Sequence, residues 1–207
     1  MALLGGQWPV RLTQGDLQLR PLRQRDGLRW RSVRAKNAAW LGTWEATLPQ
    51  PDPTMPVTYS AMVRQGNREA RAGRALPFGI FVGGDFVGQI TVAGIAWSSL
   101  RSGHVGYWID EDHAGHGIMP RCVALVGDYC FQHLQLHRIE INIRPENEAS
   151  LAVVRKLGFR NEGLRKRYLH IDGRWCDHLA FALTSEERPE GLMARLNGGS
   201  SREQFSS

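Results

Sequence analysis

The chain has 207 residues, enough for one domain with a sizeable core and too short for two ordinary ones. Hydrophobic residues make up 42% and charged residues 22%, with 23 Gly and 10 Pro, a balance that excludes a disordered or collagen-like chain. The formal charge of +6 invites an anionic partner, but the lysines are Lys36, Lys156 and Lys166 alone, so arginine carries the basicity. Codon composition accounts for an arginine bias as readily as phosphate binding does.

No apolar run reaches the ~18 residues of a membrane span, and the start MALLGGQWPVRL lacks the basic, apolar, small-residue order of a secretory signal. Cys122, Cys130 and Cys176 are odd in number and show no C-x-x-C spacing, which argues against a disulfide framework and a structural zinc site. The expectation is a cytoplasmic protein with no membrane partner and no metal.

In chain order, DLQLRPL at 16–22 alternates Leu17, Leu19 and Leu22 loosely and predicts a first strand at a sheet edge. Residues 25–44 predict a helix carrying Leu28, Val33 and Trp40, broken by the loop of Pro49, Pro51, Pro53 and Pro56. A second helix follows at 57–71, with Met62 and Val63 inward. Residues 77–97 read as a hairpin, FGIFV and FVGQITVAGIAW around Gly83-Gly84-Asp85. A strand at 104–110 leads through EDHAGHG into a helix at 120–134, where Val123, Val126, Cys130, Phe131 and Leu134 recur at helical spacing behind Pro120. Ile139, Ile141 and Ile143 alternate in a strand at 138–144, and Leu151, Val154 and Leu157 mark a helix at 147–157 that ends at Gly158. RYLHIDGRWCDHLAFALT predicts two strands joined at Asp172-Gly173. A single domain over 1–184 and a polar tail over 185–207 are expected, the closing GGSSREQFSS disordered. There are no internal repeats, and the element order predicts an α/β chain with a mixed sheet and helices on its faces.

The segment GYWIDEDHAGHGIMPR takes a strand through a glycine-bearing loop into a helix. Such a turn presents backbone N–H groups at the positive end of a helix dipole, and Gly115 and Gly117 let the chain approach a bulky anion such as a diphosphate. The same glycines serve a plain strand-to-helix turn. Pro120 stands where a dinucleotide G-x-G-x-x-G would need glycine, and no Gly-Lys-Ser/Thr follows as in a P-loop. His113 and His116 near Asp110 and Asp112 imitate a metal cluster, but they occupy the loop the diphosphate needs.

Together with RPENEASLAVVRKLGF, this segment resembles the GNAT superfamily of acyl-CoA-dependent N-acetyltransferases, whose diphosphate loop reads Q/R-x-x-G-x-G/A and whose next strand and helix carry a CoA-contacting Asn before G-F. Ala114 replaces the Gln/Arg and Met119 the final Gly/Ala. The methionine, N-E-A-S, K-L-G-F and D-G-x-W-x-D-H resemble the branch that acetylates N-terminal alanines of ribosomal proteins. The resemblance covers about residues 16–184 and is specific from 104 to 183. It implies a GNAT fold, with a central, mostly antiparallel mixed sheet of six to seven strands and helices on both faces, and acetyl-CoA as cosubstrate.

The resemblance puts the pantetheine arm along the backbone of Tyr107, Trp108 and Ile109. It puts the diphosphate on the amides of Gly115, His116, Gly117, Ile118, Met119 and Arg121, with Pro120 contributing shape only because it has no N–H. Asn147 would hydrogen-bond the CoA arm, and a backbone N–H of 107–109 would stabilise the oxyanion. Arg121, Arg144, Arg155 and Arg165 lie in or beside these segments and suit the CoA phosphates, so no nucleic-acid partner is required. The arginine-rich first third reflects codon bias or docks near ribosomal RNA.

The family's common base position falls on Asn142, which cannot take a proton. Glu140, two residues earlier on the same strand face, is the substitute base, or else an ordinary ion-paired glutamate. The family's thiolate-protonating tyrosine falls on Val154, and Ser150, one turn into the helix after Asn147, is the polar group placed to reach the sulfur, or a plain helix N-terminal serine. His104 is a further base or a structural histidine. Trp30, Trp40, Trp44, Tyr59, Tyr168 and Trp175 border the acceptor groove of the related fold or pack as core.

An α-amino group has a pKa of about 7.7–8.0 and a lysine side chain about 10.4, so a site without a strong base favours N-terminal amines. The expected function is acetylation of a protein N-terminus, plausibly a ribosomal one, in a direct ternary complex, since no cysteine lies in the segments that should border the thioester. The rival readings are acetylation of a small amine such as a polyamine or aminoglycoside, and a CoA-binding, ribosome-associated module with little activity.

Overall fold

The computed structural model describes residues 8–55 and 58–199. Pro56, the expected helix start at Val57 and the last residues of the expected disordered end, from Ser200, lie outside the described residues. The sheet comprises β1 (Leu12–Gln14), β2 (Leu17–Arg20), β3 (Leu76–Val82), β4 (Asp85–Ala96), β5 (Ser102–Ile109), β6 (Arg138–Ile143), β7 (Arg160–Ile171) and β8 (Arg174–Thr184). Its eight strands run in the order β1-β2-β3-β4-β5-β6-β8-β7, antiparallel except where β5 meets β6. One strand more than expected is present because β1, at three residues, is too short to show a period; it pairs through Leu12 and Leu19 and takes the edge from β2.

The helices are α1 (Gly27–Lys36), α2 (Ala38–Gly42), α3 (Tyr59–Arg71), α4 (Ile118–Asp128), α5 (Glu148–Leu157) and α6 (Leu192–Gly199). The single helix expected at 25–44 is broken at Asn37, which is 1% exposed. Its side chain bridges to the segment after β5, donating from Nδ2 to Asp110 Oδ1 at 2.8 Å and accepting the Glu111 N–H at 2.9 Å. A buried amide fork satisfied at both ends outweighs the propensity of the flanking residues to continue one helix.

Strand alternation divides the core. Ile80 faces a large cluster that includes Val123 of α4, Val154 and Leu157 of α5 and Leu192 of α6. The next residue, Phe81, faces a smaller cluster with Tyr59 and Val63 of α3, against which Trp30 and Val33 of α1 pack. In β6 the isoleucines are buried and the residues between them half-buried, as their alternation predicts.

The fold continues past Thr184. A Cβ on Gly127 of α4 would lie 2.4 Å from Leu192 Cδ1, so the glycine admits α6 against α4. Asp128 accepts the Leu192 and Met193 N–H groups at 2.6 and 3.0 Å, satisfying donors that the first turn of α6 leaves without partners. Leu192 is fully buried, a contribution of about 2 kcal/mol. Among the described residues no helix is long and apolar enough to cross a membrane.

Candidate active site

β5 and β6 are paired only from Ser102↔Arg138 to His104↔Glu140, and then they part. β5 continues to Ile109 with β4 on one side, while β6 turns to β8 through Ile143. The fork leaves the far half of β5 as unpaired strand edge, an arrangement that accepts an extended, amide-bearing chain as an added strand. α4 and α5 begin beside it.

Two cavities meet in the fork. One, of about 330 Å³, lies between the end of β5, the loop of Ala114, Gly115 and Gly117, the first turn of α4 and the exposed side of α5 as far as Lys156. The other, of about 380 Å³, lies over β4, β5, β6 and β8, beneath α2 and the segment after it. Leu41, Trp44, Tyr107, Trp108, Asn147 and Ser150 line both. The segment after α2 is tied across the second cavity by the pairing of Ala46 with Ile171 and by the Thr47 N–H donating to the His170 carbonyl at 2.8 Å.

The first cavity has the features of an anion cradle. Gly115 and Gly117 have φ of +78° and +72°, and a Cβ on either would meet nothing within 4 Å, so the loop backbone stands open. Gly117 is the N-cap of α4, which starts at Ile118, two residues before the expected start. The unpaired donors of the first turn are therefore the N–H groups of Gly117, Ile118 and Met119, with Pro120 lacking one. The Arg121 N–H falls where the Gly117 carbonyl is its intrahelical acceptor, and the Arg121 guanidinium turns away to Gln14 and Asp16. His116 is exposed, and neither it nor Arg121 lines the cavity.

The other arginines expected at the phosphates are held elsewhere. Arg144 bonds Glu146 and the Thr43 carbonyl, Arg155 bonds Glu148, and Arg165 bonds Glu140. Lys156, which the sequence reading passed over, is the cation that lines this cavity, and its ammonium has no partner among the described residues.

Where the cavities meet, Asn147 caps α5, its Oδ1 accepting the Ser150 N–H at 3.0 Å. This bond fixes Ser150 on the first turn and leaves the Nδ2 group of Asn147, a residue that lines both cavities, without a partner among the described residues. The Tyr107 hydroxyl and the Asn142 Oδ1 are buried without a hydrogen-bond partner of good geometry. Burial pushes the Tyr107 phenol up to about 12, with nearby Ser150 offsetting it in part. Unmet hydrogen-bonding capacity at a cavity wall is capacity for a ligand. Open glycines, free helix-start amides, the strand edge and Lys156 together fit a long, phosphate-bearing, amide-bearing molecule such as CoA.

Glu140 lines neither cavity. Its carboxylate accepts from Arg138 Nε at 2.9 Å and from Arg165 at 2.8 Å. Burial would raise its pKa, but the two guanidiniums prevail and hold it below the ordinary value. A carboxylate clamped in this way is a poor proton acceptor, and the geometry favours its ion-paired reading. His104 stands 3.6 Å from Glu140, also outside both cavities. Of the aromatics, Trp40 and Trp44 line the site, Trp30 and Tyr59 pack together with centroids 5.4 Å apart, Tyr168 stacks edge-on with His178, and Trp175 is 55% exposed.

Among the described residues no group of three or more His, Cys, Asp or Glu side chains could hold a metal, and His113 Nδ1 faces Asp110 at 3.3 Å. Cys122 and Cys130 are buried in the core, which pushes both thiols up to about 12, and no cysteine lines either cavity.

The fold and fork define a CoA-dependent acyltransferase. Residues 16–160 match the acetyltransferase (GNAT) domain family, and the chain belongs to it: an acetyl-CoA-dependent N-acetyltransferase. The chain is 30% identical over 184 residues to the ribosomal protein uS5-alanine N-acetyltransferase of Escherichia coli, covering 88% of this chain and 94% of that protein. It is 38% identical over 112 residues to the probable N-acetyltransferase YjcK of Bacillus subtilis, covering 53% of this chain and 62% of that protein. The structure of Mycobacterium smegmatis RimJ in complex with CoA-disulfide superposes with a TM-score of 0.87 at 38% identity, covering 94% of this chain and 96% of that one.

Proposed function

We propose that this chain acetylates the N-terminal α-amino group of a protein, with a ribosomal protein as the class of acceptor. The observation that carries the reading is the meeting of two cavities at one fork, which lets acetyl-CoA and an amine be held together without an acyl-enzyme. The absence of a cysteine from both linings and the raised thiols of Cys122 and Cys130 support direct transfer. The similarity to the uS5-alanine enzyme supports the acceptor class.

Bound acetyl-CoA supplies the acyl thioester. The first cavity holds it through Gly115, the amides of Gly117, Ile118 and Met119, and Lys156. The β5 backbone over Tyr107, Trp108 and Ile109 and the amide of Asn147 hold its arm. A β5 N–H at this fork stabilises negative charge on the carbonyl oxygen, an effect typically worth on the order of 3 kcal/mol. Ser150, fixed by Asn147 and lining both cavities, passes a proton to the departing sulfur. The one carboxylate of the acceptor lining, Glu45, is paired with Arg34, so the lining offers no free carboxylate to a polyamine or aminoglycoside.

Incubation with acetyl-CoA and lysine-containing peptides of identical sequence, with a free or a blocked N-terminus, tests the reading. Turnover of the free peptide alone is expected; equal turnover of both, at lysine, overturns it.

A further inference from the structure

The acceptor cavity contains a histidine that no expectation from the sequence assigned. His178 of β8 is 3% exposed and lines this cavity but not the one at the glycine loop. Its place follows from register. Asn142 of β6, at the family's common base position, pairs with Ala180, so His178 is two residues along the neighbouring strand on the same face, diagonal to Asn142. Side chains so placed serve one volume of space.

The ring's tautomer is fixed by its partner. His178 Nδ1 lies 3.1 Å from the Cys176 carbonyl, which can only accept, so Nδ1 carries the hydrogen and Nε2 the lone pair. Nε2 makes no hydrogen bond within the described residues, and the Tyr168 ring packs edge-on at 5.7 Å to fix the plane. The charged groups that act on the ring are Arg144 and Glu146, in the segment after β6, and Asp177 on β8. Burial, aided by Arg144, holds the imidazole below its ordinary pKa and therefore neutral at pH 7.

The remaining acid–base groups are worse placed. Glu45 lines the same cavity but its carboxylate pairs with Arg34, Glu140 is clamped outside, and Asn142 does not titrate.

We propose that His178 Nε2 is the base that takes a proton from the incoming α-ammonium group; this rests on the N-terminal acceptor reading above. One proton of the ammonium passes to Nε2, and the freed electron pair forms the N–C bond to the acetyl carbon. The C–S bond breaks with its pair on sulfur, and the second surplus proton of the nitrogen reaches that sulfur through the Ser150 hydroxyl. His178 then returns its proton to water, so the products are the acetamide, the thiol and one proton.

His178→Asn tests this, because the Asn amide retains a donor toward the Cys176 carbonyl while Nε2 is lost. Expected are a kcat lower by roughly 100-fold and an unchanged Kd for acetyl-CoA. The pH profile should change as well. The wild-type rate is level through neutral pH and falls only on the acid side of the ordinary histidine range, as His178 takes up a proton, whereas the variant's rate climbs through about pH 8 with ionisation of the amine itself. A variant within threefold of wild type at pH 7, or with the same pH profile, overturns the base. Wild-type protein inactive toward every N-terminal peptide overturns the acceptor reading and the base with it. ¹⁵N NMR of the wild-type histidines gives a test independent of any variant: a protonated Nδ1 and bare Nε2 are expected for His178 at pH 7, and the opposite tautomer or a doubly protonated ring overturns the proposal.

Discussion

The two cavities at the fork are built from different kinds of structure. The first is made mostly of local sequence, a strand end, a two-glycine loop, a helix start and an N-capped helix within residues 107–156, with Trp40, Leu41 and Trp44 closing one side. The second is assembled from α1, α2, β4, β5, β6, α5, β7 and β8, and polar groups of its lining such as Arg34, Glu45, Gln89, Asn142, Arg144 and His178 come from distant parts of the chain. A site that binds through main-chain amides tolerates changes of side chain, as Ala114 and Met119 of this loop illustrate. A site that binds through side chains gathered across a sheet changes its acceptor with each of them. Cosubstrate and acceptor recognition should therefore be separable by mutation.

The largest effect is expected on the backbone-built side. Gly117→Val places a β-branched residue at a φ of +72°, costing at least ~1–2 kcal/mol locally and distorting the amides of the helix start. The KM for acetyl-CoA should rise by roughly 30-fold or more with the peptide KM little changed; steady-state kinetics with each substrate varied would reveal a failure as an equal rise in both. Leu169→Arg sharpens the opposite side by filling the acceptor cavity, with roughly a tenfold rise in peptide KM and an acetyl-CoA Kd by calorimetry within twofold of wild type. Lys156→Ala removes the unpaired ammonium from the cosubstrate cavity and should raise the acetyl-CoA KM by about fivefold, an effect that weakens as salt is added. The smallest effect is a control outside both cavities: Asp128→Ala unties α6 for about 1 kcal/mol, lowering Tm by about 2–4 °C and leaving both KM values unchanged.

The same contrast explains what was legible in the sequence. The cosubstrate side could be read because its parts are contiguous: alternating isoleucines give β6, Gly115 and Gly117 give the loop, and Asn147 to Gly158 give a capped helix. Even there, one-turn precision was lost, since the positive φ of Gly117 starts α4 at Ile118 and takes the Arg121 amide out of the free set. Arginines near the loop looked free for phosphate, but Glu140, Glu146, Glu148 and Asp16 claim them, and ion pairing across strands and turns has no signature along the chain. On the acceptor side, His178 stood in the D-G-x-W-x-D-H segment, but its value depends on the pairing of Asn142 with Ala180. Strand register between segments nearly forty residues apart cannot be read from alternation, and with it unknown Glu140 was the nearer substitute. Asn37 was invisible for a related reason: its break of the helix is a response to Asp110 and Glu111, which meet it only in the folded chain.

The central claim is that both cavities are filled at once and the acetyl group crosses the fork directly. Initial rates measured over a grid of acetyl-CoA and N-terminal peptide concentrations test it most directly. The account predicts double-reciprocal lines that intersect, as a ternary complex requires; parallel lines, the mark of an acyl-enzyme, would contradict it.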